Sequence, residues 1–295
     1  MAGTPSIPHI IPYCTSHDCF DYFASEDSIL DRRPIGVFDS GIGGLTVVAE
    51  LQRQLPNERV VYFGDTARFP YGSKSVATVT EFARQDSRLL LSHDVKLIVV
   101  ACNTATAYSL DVLRNELDVP VVGVIDPGAR AAAAVSRRKL VGVIGTEGTI
   151  ASRAYQQAIA RIDPSISVFA RACPLFVSLA EEGWTDHAAT MLIAQEYLEP
   201  LREALIDVLV LGCTHYPLLK RTIRRIVGPE VQLTDSAEEV AREVAAVMDE
   251  QGLASDGGAS FGHRFIVSDV PHKFREVGER FLGHTLPTVE VNTIS

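Results

Sequence analysis

The chain has 295 residues, enough for two domains of ordinary size, and 46% of them are hydrophobic, enough for sizeable cores. Its formal net charge is −10 at pH 7 and its short basic clusters form no stripe, which argues against a nucleic-acid surface. No apolar run reaches the length of a membrane span, and the N-terminus lacks the basic and apolar regions of a secretory signal. We therefore expect a cytoplasmic protein with no membrane partner.

The five cysteines are widely spaced and form no CxxC pair, so a disulfide framework is not expected. Cys213 and His215 lie two residues apart, but no second ligand pair follows, so no metal site is predicted. Residues 1–33 contain Pro5, Pro8 and Pro12, mixed charges and no periodicity. We interpret them as a poorly ordered N-terminal extension, or as the result of an upstream start codon. Cys14 and Cys19 are taken as incidental there.

The next part of the chain alternates predicted strands and helices. Strands are predicted at 35–38, 60–63, 98–101 and 119–125, with helices at 45–54, 76–92 and 107–117. A glycine-rich turn at 39–44 leads into the first helix, where glycines allow a close backbone approach and free N–H groups attract anions. A dinucleotide site is the alternative, but the third glycine of its motif falls at Thr46. The loop at 64–73, rich in Gly, Pro and polar residues, is predicted to bind a ligand.

The same plan starts again near residue 140. Strands are predicted at 140–146, 166–170 and from 208, with helices at 152–161, 186–205, 217–227 and 237–249. Glu181, Glu182 and Gly183 are placed at a helix end or in a loop. After a loop at 251–260 come a strand at 265–267, a helix at 272–282 and a last strand near 289. Each half thus contains a strand with a polar turn, a helix, a strand, a helix and a strand that ends at a cysteine.

The two cysteine strands are the centre of this pattern. Residues 98–104 read IVVACNT and residues 209–215 read LVLGCTH, in both cases an unbroken apolar run of the kind that forms a buried parallel strand. Ligands of open α/β sheets bind at the carboxyl ends of the strands. A helix N-terminus also lowers the pKa of a thiol. Cys102 and Cys213 therefore predict a site made of two facing halves.

Four chemistries can use such cysteines. A hydrolase needs one cysteine with a base and an oxyanion hole, a redox pair needs adjacent thiols, and a metal site needs more ligands. Thiols on opposite sides of a planar intermediate suit 1,1-proton transfer, in which one thiolate removes a proton and the other thiol delivers one. Asp39 and His215 are candidate partners of these thiols. Asp39 has the alternative interpretation of a helix N-cap.

Five stretches of the chain resemble the cofactor-independent aspartate/glutamate racemase family. They are residues 38–46 (FDSGIGGLT), 64–72 (GDTARFPYG), 100–108 (VACNTATAY), 173–176 (CPLF) with 181–183 (EEG), and 211–219 (LGCTHYPLL). The resemblance covers roughly residues 34–295, and the extension departs from the family. It implies an α/β fold with two pseudo-symmetric domains, each a mainly parallel sheet flanked by helices, and an active site in the cleft between them. The expected boundaries are 34–128 plus 240–295 for the first domain and 129–239 for the second.

The resemblance also implies roles for individual residues. Cys102 and Cys213 look like the two acid/base residues, with Asp39 supporting the first, and Glu181 (rather than Glu182) and His215 supporting the second. The residues that match the family's ligands of the substrate's ammonium and carboxylate groups are Asp39, Ser40, Tyr71, Gly72, Asn103, Thr104, Thr146, Thr214 and His215.

The implied reaction is interconversion of L-glutamate and D-glutamate without metal or pyridoxal phosphate, supplying D-glutamate for peptidoglycan, by a homodimer. Similar aspartate racemases tend to carry an acid after the second Cys-Thr, so His215 favours glutamate. The alternatives are racemisation of aspartate or another amino acid, and a catalytically silent binding protein on this scaffold that regulates another enzyme.

Overall fold

The computed structural model describes residues 31–255 and 262–293, and residues 1–30, which hold most of the predicted extension with Cys14 and Cys19, lie outside it. The first half contains β1 (Ile35–Asp39), α1 (Leu45–Gln54), β2 (Val60–Gly64), α2 (Val76–Leu91), β3 (Leu97–Val100), α3 (Asn103–Glu116), β4 (Val121–Gly123) and α4 (Ile125–Val135). The second half contains β5 (Leu140–Gly145), α5 (Glu147–Ala151), α6 (Ala154–Ile162), β6 (Ser167–Ala172), α7 (Leu175–Glu181), α8 (Ala188–Glu203), β7 (Val208–Gly212), α9 (Lys220–Val227) and β8 (Gln232–Thr234). The chain continues with α10 (Ala237–Gln251), β9 (Arg264–Val267), α11 (Pro271–Leu282) and β10 (Val289–Val291).

These strands form two sheets, and every strand pairing in the described part of the chain is parallel. The first sheet has the order β10-β9-β2-β1-β3-β4, and the second has the order β6-β5-β7-β8. The segment β2-β1-β3-β4 therefore corresponds strand for strand to the whole second sheet. The predicted α/β class with parallel sheets flanked by helices is confirmed.

Both faces of the central strands are buried, which explains their unbroken apolar sequences. In β3, Leu97 and Val99 belong to one core, and Ile98 and Val100 belong to another on the opposite face. The first of these cores also includes residues of β5, β7, α4 and α10, so one continuous apolar core reaches from one sheet to the other. The two sheets therefore pack against one shared apolar core.

Several element boundaries differ from the sequence prediction. The third helix begins at Asn103 rather than near residue 107, because Cys102 serves as its N-cap. The strand predicted at 119–125 ends at Gly123, and Asp126, Pro127 and Gly128 lie in the first turn of α4. A proline is tolerated there because its missing N–H would have no helical partner. The helix predicted at 152–161 corresponds to α6, which begins at Ala154 after Arg153 with a φ of 58°. The short helix α5 before it was not predicted. The short strand β8 was not predicted.

Candidate active site

The two cysteines lie at matching ends of the two sheets. Cys102 follows β3 with one residue between, and Cys213 directly follows β7. In each sheet the strand beside the cysteine strand ends at the same level, so Asp39 and Ser40 lie beside Cys102, and Thr146 lies beside Cys213. The parallel register thus gathers the polar residues of four strand ends.

Both thiols line one cavity. It contains about 310 Å³ of space not filled by atoms, including the part open to solvent. Its lining residues are Ser40, Phe69, Pro70, Tyr71, Gly72, Cys102, Asn103, Thr104, Thr146, Val177, Cys213, Thr214 and His215. Ten of these were predicted as site residues. Of the remaining predicted residues, Asp39 and Glu181 do not line the cavity.

Cys102 is held at the start of α3. Its Sγ accepts a hydrogen bond from the backbone N–H of Ala105 at 3.5 Å and donates one to Ser40 Oγ at 3.7 Å. Burial, followed by the negative charge of Asp39, raises the pKa of Cys102 to about 12, and the hydrogen bonds with Ala105 and Ser40 offset this rise only in part. The sequence-based expectation of a lowered thiol pKa is therefore wrong for this cysteine, because loss of solvation outweighs the helix N-terminus.

Asp39 is a buried carboxyl, 1% exposed, at the end of β1. Its Oδ2 accepts a hydrogen bond from the N–H of Gly41 at 3.2 Å, while no residue in the described part of the chain gives Oδ1 a hydrogen bond of ordinary geometry. Burial raises the pKa of Asp39, and the positive charge of His215 lowers it in part. A buried carboxyl oxygen without a partner is uncommon and suits a role toward a ligand.

Cys213 begins a chain of three side chains. Its Sγ lies 3.9 Å from Nδ1 of His215, and Nε2 of His215 lies 3.1 Å from Oε1 of Glu181 at the end of α7. Glu181 rather than Glu182 is thus the residue that contacts the histidine. The His215 ring also contacts the rings of Phe69 and Phe281, whose centroids are 5.8 Å and 5.6 Å away.

This arrangement fixes the protonation of His215. Burial lowers its pKa, but the hydrogen bonds and charges of Cys213 and Glu181 outweigh burial and raise the pKa to about 10. At neutral pH the imidazole is therefore protonated, and both ring nitrogens are donors. One faces the sulfur of Cys213, and the other faces the carboxylate of Glu181.

Three threonine hydroxyls form a cluster at the cavity, which Thr104 and Thr146 line. The Oγ1 atoms of Thr104 and Thr146 are 2.8 Å apart, and that of Thr149 lies 3.2 Å from the first and 3.0 Å from the second. Thr146 also caps α5 by accepting a hydrogen bond from the N–H of Thr149 at 3.2 Å. Thr149 was not predicted, although its spacing from Thr146 is that of a capping pair.

Hydrogen bonds and ion pairs to two buried aspartates fix the loop before α2. The hydroxyl of Tyr71 is hydrogen-bonded to the carboxyls of Asp65 and Asp86, the latter at 2.9 Å, and Arg68 is ion-paired with the same two residues. Because these bonds occupy the hydroxyl of Tyr71, the predicted contact of Tyr71 with a ligand would have to be made by its backbone. At Gly72 a Cβ atom would lie 2.6 Å from that of Thr146, so only glycine allows this close approach.

Three other lining residues were missed. Phe69 and Pro70 lie in the loop that the sequence marked as a binding loop, so the signal was present. Val177 lies on α7, where its apolar side chain could not be told from a core residue. Among residues 31–255 and 262–293, no group of three or more His, Cys, Asp and Glu side chains is arranged to hold a metal ion. No helix in those ranges is long and apolar enough to span a membrane.

The fold and the site define an α/β protein that presents two cysteines, from equivalent strands of two sheets, to one small-molecule cavity. The model of the Asp/Glu/Hydantoin racemase family matches residues 35–244. A glutamate racemase of Geobacter metallireducens is 57% identical over 257 residues, which cover 87% of this chain and 95% of the relative. A glutamate racemase of Syntrophus aciditrophicus is 52% identical and covers 88% and 96%.

The solved structures agree with the sequence comparisons. The glutamate racemase of Francisella tularensis in complex with D-glutamate superposes with a TM-score of 0.84 at 42% identity, covering 90% of this chain and 99% of that one. The chain belongs to the Asp/Glu/Hydantoin racemase family. It is an enzyme of the racemase class, and the resemblance inferred from its five stretches is confirmed.

Proposed function

We propose that the protein interconverts L-glutamate and D-glutamate by a two-base 1,1-proton transfer. The observation that carries the proposal is the pair of thiols at equivalent sheet ends on one cavity. One thiolate takes the Cα proton: an S–H bond forms, the C–H bond breaks, and the electron pair stays on the planar α-carbon and carboxylate. The other thiol then gives its proton to the opposite face of that carbon and is left as a thiolate.

The two halves supply different partners for this exchange. By family resemblance, we assign Cys213 to proton removal from L-glutamate and Cys102 to proton removal from D-glutamate. Asp39 supports Cys102, whose pKa responds to its charge. His215, hydrogen-bonded to Glu181, is placed to donate toward the sulfur of Cys213.

Substrate recognition follows from the lining. Ser40, Asn103, Thr104, Thr146 and Thr214, with the backbone at Tyr71 and Gly72, offer hydrogen-bond donors that suit the two carboxylates of glutamate. We assign the ammonium group to the unpartnered Oδ1 of Asp39, which lies beside the lining residues Ser40 and Cys102 rather than in the lining itself. Glutamate is favoured over aspartate because the relatives named above are glutamate racemases, and one was solved with D-glutamate.

The same proposal covers the setting of the reaction. The enzyme needs neither pyridoxal phosphate nor metal, works as a homodimer in the cytoplasm, and supplies D-glutamate for peptidoglycan. The proposed domains are residues 34–128 with 240–295, and residues 129–239. β9 and β10 support this division, because both belong to the sheet of the first half.

The test combines circular dichroism with exchange in heavy water. The wild-type protein should racemise pure L-glutamate, whereas Cys102→Ala and Cys213→Ala should each lose about 10²–10⁴-fold of the rate. Cys213→Ala should still exchange the Cα proton of D-glutamate, and Cys102→Ala that of L-glutamate. Cys173→Ala is the matched control, because Cys173 is a buried free cysteine that does not line the cavity.

Each contrary result has a distinct meaning. Racemisation retained in either single variant would exclude the two-thiol mechanism. Faster racemisation of L-aspartate than of L-glutamate would reassign the substrate. Binding of glutamate without turnover by the wild-type protein would favour the silent binding protein.

A further inference from the structure

Tyr155 is a buried tyrosine on α6 that contacts the candidate active site without lining its cavity. Its hydroxyl donates a hydrogen bond to Oδ1 of Asn103 at 2.8 Å, and its side chain is 1% exposed. Burial raises its pKa, so the hydroxyl keeps its proton as a donor. The hydrogen bond joins the second half of the chain, which holds Tyr155, to the first residue of α3.

The side-chain amide of Asn103 has a hydrogen-bond partner at its oxygen but none at its nitrogen among the described residues. Asn103 is 3% exposed and lines the cavity, yet its Nδ2 has no hydrogen-bond partner among the described residues. A flipped amide would turn Nδ2 toward the tyrosine and leave the phenol proton without its only assigned acceptor. The orientation that uses the phenol proton therefore presents the amide N–H groups, not the oxygen, to the cavity.

The surrounding chain is shaped to keep Tyr155 in this place. A Cβ atom on Gly212 would lie 3.0 Å from Cε2 of the tyrosine ring, and one on Gly128 would lie 3.2 Å from its hydroxyl oxygen. Both are tighter than an ordinary contact. Two glycines, one at the end of β7 and one in α4, thus make room for the ring.

We infer that Tyr155 is a positioning residue that fixes the orientation of the Asn103 side-chain amide, so that the cavity offers a buried N–H donor to a carboxylate oxygen of the substrate. This inference rests on the proposed function, since it assumes a dicarboxylate in the cavity. Tyr155 acts through Asn103 and does not itself touch the substrate. Without its hydroxyl the amide can rotate, and its oxygen would then face the substrate's negative charge.

A mutant cycle tests this assignment. Tyr155→Phe keeps the ring and removes the donor, and it should raise KM for L-glutamate about 2- to 10-fold, the usual range for one hydrogen bond, with a smaller change in kcat. In an Asn103→Ala background, the same substitution should change KM by less than about 2-fold, because no amide is left to orient. An effect of Tyr155→Phe on KM that is equal in both backgrounds would show a packing role and overturn the inference. No effect on KM in the wild-type background would overturn it as well.

The control is Tyr216→Phe, which removes another buried hydroxyl that donates at 2.8 Å, in this case to the carbonyl of Cys173 and not to a lining side chain. It should lower the melting temperature by a similar amount while KM stays within about 2-fold. If Tyr155→Phe fails to fold, the side-chain amide resonance of Asn103, identified by its loss in Asn103→Ala, decides the matter. It should shift when D-glutamate is added to the wild-type protein, and an unchanged resonance would refute the donor role.

The outcome is separable from that of the proposed function. Wild-type turnover of L-glutamate is measured first. Turnover with additive effects in the cycle would leave the racemase proposal intact and remove only the role of Tyr155.

Discussion

Gly43 is where the two halves of the candidate site touch, and its replacement by alanine is the most direct test of the geometry. A Cβ atom built there would lie 2.3 Å from Oγ1 of Thr214 and 2.6 Å from Nδ1 of His215. The φ angle of Gly43 is not positive, so alanine is compatible with the backbone itself. The conflict is therefore purely steric and lies between the glycine-rich turn of the first half and the Cys213 segment of the second.

The size of the effect follows from these distances. Ordinary contacts of a Cβ atom begin at 3.4 Å, so the turn and the Thr214–His215 segment must separate by about 1 Å. Both segments carry site residues, so relief displaces either Asp39 and Ser40 in the turn or Cys213 and His215 in the facing segment. A misplacement of about 1 Å costs on the order of 10²-fold in rate, and we expect Gly43→Ala to lower kcat/KM by about that factor.

The assay is racemisation of L-glutamate followed by circular dichroism, with urea denaturation to confirm folding. Gly262→Ala is the matched control, because no atom lies within 4 Å of the new methyl group there, and its kcat/KM should stay within about 2-fold of wild type. A folded Gly43→Ala protein with more than about a third of wild-type kcat/KM would refute the close approach of the two halves.

Three further predictions test the charges. Lys96, with a side chain 0% exposed and Nζ 2.6 Å from Oε2 of Glu58, forms a buried ion pair, so Lys96→Met should lower the free energy of unfolding in urea by about 3–5 kcal/mol. A second change, Glu58→Leu, should recover part of that loss; a loss below about 1 kcal/mol would contradict the pairing. Glu181 raises the pKa of His215, so Glu181→Gln should shift the alkaline limb of the kcat/KM profile to lower pH, and an unshifted limb would show that the pair is not coupled. The folded pKa of about 10 exceeds the ordinary value of 6.5, so stability from protonated His215 is full below pH 6.5 and is lost as the pH rises through 10. The difference in unfolding free energy between wild type and His215→Asn should shrink over that interval, and a constant difference would contradict it.

The core of the fold could be predicted because strands buried on both faces have a distinctive sequence. The run at 97–100 and the run at 208–212 contain no polar residue, and both are strands in the structure. The ends of helices and strands were harder to predict where the local sequence fits more than one structure. Cys102 caps α3 although cysteine is not among the preferred capping residues, and Pro127 marks a helix start as readily as a turn. The strand β8 has three residues at a sheet edge, too few to show a period.

Some residues of the candidate site could likewise be predicted from the sequence, and others could not. Residues at strand ends, such as Cys102, Cys213 and Asp39, could be found because the parallel sheet brings those ends together. Glu181 came only from the family resemblance, since its contact with His215 spans 34 residues and depends on how α7 approaches β7. Tyr155 could not be predicted as a site residue, because its position on an amphipathic helix is that of a core residue.

The two cysteines share a backbone plan but not an electrostatic environment. Cys102 faces a serine hydroxyl and a buried carboxyl, and its pKa is high, so it holds a proton in the free enzyme. Cys213 faces a protonated imidazole. L- and D-glutamate have equal free energies, so kcat/KM must be the same in both directions of the proposed reaction, whatever the charges. The asymmetry cannot favour either product; it decides instead which sulfur carries the proton before the substrate arrives. The free enzyme is thus expected to be biased toward the form with a proton on Cys102, the form that by our assignment accepts L-glutamate. By the same assignment, proton removal from D-glutamate by Cys102 requires that proton to leave the sulfur first.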